Sequence, residues 1–91
     1  MKYKIKFEES VLLDFNDKIQ HYNKISIGLA DKLHSEFWSK INYIKKYPMH
    51  HPIKYKQMRI ANLKIFPFSI HFNVKDDIIQ VYSIKHFKQT Y

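Results

Sequence analysis

Tyr3-Lys4-Ile5-Lys6-Phe7 runs directly into Glu8-Glu9-Ser10-Val11-Leu12-Leu13-Asp14-Phe15-Asn16-Asp17-Lys18-Ile19-Gln20-His21-Tyr22, and the change of rhythm between the two stretches decides the fold class. In the first, apolar and charged residues alternate, so Tyr3, Ile5 and Phe7 share one face of a strand and Lys4 and Lys6 the other. In the second, Val11, Leu12, Phe15, Ile19 and Tyr22 recur at steps of three and four, the spacing of one helix face. Glu8 and Glu9 stand where a helix N-terminus favours negative charge. A half-buried strand followed at once by an amphipathic helix is expected from Glu8 to about Tyr22.

Working outward, Asn23 to Gly28 interrupts the helical pattern and contains the chain's one glycine, with Ser26 placed to cap a second helix. Leu29, Leu33, Phe37, Ile41 and Ile44 then form an apolar stripe, Lys45 and Lys46 suit a helix C-terminus, and Pro48 stops continuation. Beyond Pro52 the pattern turns β-like: one strand from Ile53 towards Phe66, an alternating Phe68–Val74, a turn at Lys75-Asp76-Asp77, and a last strand from Ile78 to Phe87. The order β-α-α-β-β-β predicts an α+β domain spanning residues 1–91, its helical hairpin packed on a small, mostly antiparallel sheet. A domain of this length buries only roughly 60 to 65% of its chain surface. The seven Phe, seven Tyr and one Trp supply the bulk a small core needs.

With no cysteine, disulfides, thiolate metal sites and a cysteine nucleophile are excluded, and a reducing, cytoplasmic setting fits. The opening MKYKIKFEES has no apolar core of an export signal, and no run reaches the roughly 18 apolar residues of a membrane span. Sixteen Lys and Arg against eight Asp and Glu give a formal charge of +8, which draws polyanions or simply solubilises an aromatic-rich domain. The surplus concentrates in residues 51–91, with seven basic groups against two acidic.

Arg59, the segment Phe66-Pro67-Phe68-Ser69-Ile70 and the ending Val81-Tyr82-Ser83-Ile84-Lys85-His86, set in this element order, resemble the RelE/ParE superfamily of toxins from bacterial type II toxin-antitoxin systems, plasmid stabilisation proteins among them. The resemblance covers essentially the whole chain. Phe68 stands where such toxins usually have tyrosine, Phe87 where some ribonuclease members have tyrosine, and Gln89 where others have arginine. It implies a cognate antitoxin whose tail wraps the toxin and covers its basic face, with dimers and hetero-oligomers both compatible. It also offers two targets, DNA gyrase in the ParE-like branch and mRNA on the ribosome in the RelE-like branch.

For metal-free RNA cleavage, Arg59 is the candidate phosphate clamp and His86 the candidate acid or base, because the reaction needs a fixed cation and a group that trades protons near neutrality. The structural alternatives are an Arg59 salt bridge and a His86 that hydrogen-bonds the backbone. Lys54, Lys56, Arg59, Lys64, Lys85, Lys88 and Tyr91, with His71 nearby, are the candidate target- or nucleic-acid-binding residues, and Tyr91 is a terminal ring able to stack or fray. His50 and His51 are adjacent and lack a spaced third ligand, so no metal is expected, and no cofactor. Trp38 beside the stripe of the second helix is a rim packing residue or an antitoxin contact. No acid-base set beyond this pair is evident, which favours the ParE-like branch over ribosome-dependent cleavage. A non-toxic nucleic-acid-binding module is the third reading.

Overall fold

The computed structural model describes residues 2–87. Strand β1 is Lys4–Phe7, helices α1 and α2 are Glu9–Ile25 and Ile27–Lys46, a 3-10 turn follows at Pro48–His50, and β2 to β5 are Ile53–Tyr55, Met58–Asn62, Phe68–Lys75 and Ile78–His86. One sheet holds all five strands in the order β1-β5-β4-β3-β2. β1 runs parallel to β5 and every other neighbouring pair is antiparallel. This is the expected α+β layout with one strand more than the sequence reading placed.

The extra strand comes from a turn without a glycine signal. Lys56 and Gln57 have φ of 41° and 64°, and Tyr55 pairs with Met58 across them. Two consecutive left-handed residues are what a tight hairpin connection requires, because they match the twist of the flanking strands. Such turns ordinarily carry Asn or Gly, so a Lys-Gln pair hid the break between β2 and β3.

The helical hairpin is also tighter than expected. Instead of a loop from Asn23 to Gly28, Ser26 alone separates the helices, with an extended backbone at φ −165° and ψ 132°. Its N–H donates to the Tyr22 carbonyl at 2.9 Å and its own carbonyl accepts from Leu29 and Ala30, so backbone groups do the capping and the hydroxyl does not. Gly28 sits inside the first turn of α2.

Leu33, Phe37, Ile41 and Ile44 of α2 meet Val11 and Phe15 of α1 and then Ile70, Phe72, Ile79, Val81 and Ile84 of the sheet in one buried cluster. Phe15 stacks on Phe37 with centroids 4.0 Å apart, and Trp38 meets Phe37 edge-on at 5.1 Å, completing the rim of the core as a half-buried residue. Leu12, counted with the apolar stripe of α1, is 43% exposed.

The connection from β3 to β4 is a bent loop held from outside. The Glu36 carboxylate on α2 accepts backbone N–H bonds from Lys64 at 2.8 Å, Ile65 at 2.9 Å and Phe66 at 3.2 Å. A charged acceptor taking several main-chain donors is a strong arrangement. It turns Phe66 into the core and delivers the chain to the first residue of β4.

Candidate functional site

Residues directly opposite each other on antiparallel strands share a face. The helix-covered face therefore carries Arg59 with Phe72 and Val81, Ala61 with Ile70 and Ile84, and Phe68 with His86. The other face carries Ile60 with His71 and Ser83, and Asn62 with Ser69 and Lys85. A bulge between His71 and Phe72 leaves Tyr82 as the unpaired extra residue on β5 and keeps both faces regular on either side of it.

On the face away from the helices, Lys54, Tyr55 and Lys56 come up from β2 and its turn to meet Ile60, Asn62 and Lys85 around an open groove of about 700 Å³. Two hydrogen-bonded pairs reach from its lining into the buried layer beneath. The Tyr55 hydroxyl hydrogen-bonds His71 Nδ1 at 2.8 Å, and the Ser69 hydroxyl donates to Asn62 Oδ1 at 2.5 Å. Ser69 and His71 are fully buried. Burial, and secondarily the Lys85 ammonium, lower the His71 pKa from 6.5, so the imidazole is neutral at neutral pH. The groove thus presents three ammonium groups, with a neutral imidazole buried beneath them. That arrangement attracts an anionic backbone and fixes where it can lie.

Arg59 points elsewhere. Half-buried on the helix-side face, it donates from NH1 to the His51 carbonyl at 2.6 Å and so ties the 3-10 turn to the sheet, while the C-terminal carboxylate considered from sequence as its salt-bridge partner lies outside the described residues. His51 lies edge-on to Phe72 at 5.6 Å, and its pKa is lowered by burial first, then by Lys40, against an opposing backbone hydrogen bond at Pro48. His86, also half-buried, sits edge-on to Phe68 with centroids 5.7 Å apart. Arg59 and His86 flank β4 from opposite sides, at Phe72 and Phe68, about 13 Å apart along that strand. They do not meet in one site.

The expected basic set is therefore divided. Lys54, Lys56 and Lys85 gather at the groove, whereas Lys64 borders a separate cavity of about 550 Å³ with Glu36, Ser39, Lys40, Tyr43, His50 and His51. Lys88 and Tyr91 lie outside the described residues. Among the described residues no three His, Asp or Glu side chains stand together as a metal cluster. Sequence reading missed the Tyr55–His71 pair. Its signal was present as a tyrosine interleaved between Lys54 and Lys56 and a histidine within the alternating β4 run.

No protein-family model matches the sequence, and a search of curated proteins finds no match. Among solved structures, a chain of the "Chromosomal ParDE TA system from P. aeruginosa" is similar at a TM-score of 0.79 and 22% identity, covering 93% of this chain and 96% of that one. The fold is ParE-like. In this ParE-like fold, the helical hairpin covers one sheet face and leaves the other to the lysine groove. Among the described residues no helix is long and apolar enough to cross a membrane.

Proposed function

We propose that this chain is the toxin of a type II toxin-antitoxin pair, neutralised by a cognate antitoxin and arresting growth through DNA gyrase when released. The observation that carries the reading is the ParE-like fold over 93% of the chain, shared with a ParDE toxin-antitoxin structure. The separation of Arg59 from His86 supports the gyrase branch, since the two groups suited to phosphate clamping and proton transfer are held in different places by packing. Inhibition by occupying a surface needs no catalytic set. The test is gyrase supercoiling with the purified chain, with and without a co-expressed antitoxin. Loss of supercoiling that the antitoxin restores is the expected result, and undisturbed supercoiling at saturating protein refutes the target.

One observation favours a second reading. Lys54, Lys56 and Lys85 gather on one open groove, cations suited to gripping an RNA backbone and to stabilising the charge that builds on a phosphodiester cleaved without metal. Ribosome-dependent mRNA cleavage that disappears in Lys54→Gln and Lys85→Gln, with the fold retained, would replace gyrase by mRNA as the target.

A further inference from the structure

The end of α2 and the 3-10 turn after it carry an aromatic cluster that neither reading uses. Tyr43 and Tyr47, one helical turn apart, have ring centroids 5.3 Å apart. His50 lies over Tyr47 in a nearly parallel stack, 4.8 Å between centroids and 6° between planes. The Tyr43 hydroxyl hydrogen-bonds His50 Nδ1 at 2.9 Å, which holds the imidazole in that orientation. Pro48, buried at the start of the turn, sets the approach of His50 to Tyr47.

Large rings gain most by being covered, so rings held in order yet open to solvent call for a ligand. Here Tyr43 is 42% and Tyr47 46% exposed, and Met49 and Ile53, which follow them in the chain, are 53% and 48% exposed. The surroundings are cationic. Lys40 Nζ stands 5.6 Å from the Tyr43 ring centroid, and Lys40 and Lys64 line the adjoining cavity. Among the described residues the one carboxylate lining that cavity, on Glu36, is engaged by backbone N–H groups.

Position relative to the lysine groove points to the occupant. Ile53, at the start of β2, pairs with Arg59 on the side of the cluster, while its neighbour Lys54 lines the groove on the other face. β2 is a three-residue strand, about 10 Å long, at the edge of the sheet. Stacking rings on one side of that edge and ammonium groups on the other match a polymer with both flat faces and regularly spaced anions. A duplex offers its anions but keeps its flat faces internal.

We propose that the Tyr47–His50 stack, with Tyr43 beside it, binds an unpaired base of single-stranded nucleic acid whose backbone crosses the β2 edge into the Lys54–Lys56–Lys85 groove. This concerns the ligand of a surface and stands whether gyrase or mRNA is the cellular target, because its test reads binding by the purified chain and neither supercoiling nor mRNA cleavage.

The experiment is fluorescence anisotropy of a labelled short oligouridylate titrated with the full chain across a salt series. Tyr47→Ala and Tyr47→Leu are expected to weaken binding about tenfold while Tyr47→Phe retains it, and the salt slope stays that of the parent because no cation is removed. Lys54→Gln is expected to lower that slope instead. His50→Ala, at an exposed imidazole, gives a second variant with little risk to folding and an expected loss of about fivefold. Parent-like affinity in His50→Ala and Tyr47→Leu overturns the proposal, as does a duplex that competes as well as the single strand. Retained oligonucleotide binding with lost binding of an acidic peptide assigns the face to a protein partner and equally overturns it.

Discussion

Replacing Glu36 with alanine removes the acceptor of three consecutive main-chain donors while leaving α2 with its best helix former. A hydrogen bond to a charged group contributes about 1.5–3 kcal/mol. Water reaches this loop, where Lys64 and Ile65 are exposed, and replaces part of what is lost, so the total cost is set at about 2 kcal/mol and not at the sum of three bonds. For a chain of this size that lowers Tm by about 8–16 °C. Differential scanning calorimetry reads the shift, and amide hydrogen exchange locates it. Protection is expected to fall at Lys64, Ile65 and Phe66 before it falls in the β4–β5 ladder. Glu36→Gln, which keeps one acceptor oxygen and loses the charge, is expected to fall between the two. A Tm within about 2 °C of the parent, or a lower Tm with protection at those three amides intact, would refute the idea that the carboxylate holds the loop.

Three further outcomes follow from the same physical reasoning. Neutralising Lys54, Lys56 and Lys85 singly to Gln is expected to reduce the slope of log affinity against log salt for single-stranded RNA by about 0.7 each, whereas Lys75→Gln, at the end of β4 and outside the groove lining, leaves it unchanged. His51 and His71 both have folded-state pKa values below 6.5, so the unfolded chain binds more protons in acid; their contribution is complete above that pH and declines as pH falls below it, which a Tm series from neutral to mildly acidic pH tests, with a flat profile counting against buried neutral imidazoles. Gln57→Gly, at φ 64°, is expected to stabilise by about 0.5–1 kcal/mol because glycine carries no Cβ penalty in the left-handed region, and a chemical denaturation midpoint that falls would show that the Gln57 side chain contributes more than its backbone strain costs.

Much of the architecture was legible because periodicity reports burial locally. The alternation at Tyr3–Phe7 and the stripe Leu29, Leu33, Phe37, Ile41 and Ile44 each predict their own element and its buried face, and the structure buries the last four stripe residues and leaves Leu29 partly buried against them. Leu12 departs from its stripe because α1 packs chiefly through Val11 and Phe15, a matter of how the hairpin lies on the sheet. The hairpin turn at Lys56-Gln57 escaped for a different reason: it is made by backbone geometry in residue types that do not advertise it. Ser26 was legible as the N-cap of α2, but not that it alone would separate the two helices.

The candidate site divided along the same line. That this chain is a basic, cysteine-free α+β domain with a cationic C-terminal half is contained in its composition and rhythm. Which cations act together is not, because strand side chains alternate between faces and a shift of one residue in pairing moves a side chain to the opposite side. Register, with the bulge at His71 and Phe72, sends Lys85 to the groove and its neighbour His86 to the helix side; it sets Arg59 against the His51 carbonyl and places Tyr55 on a histidine sixteen residues away. Local pattern determined the elements, and only the pairing of distant strands decided which of their side chains share a surface.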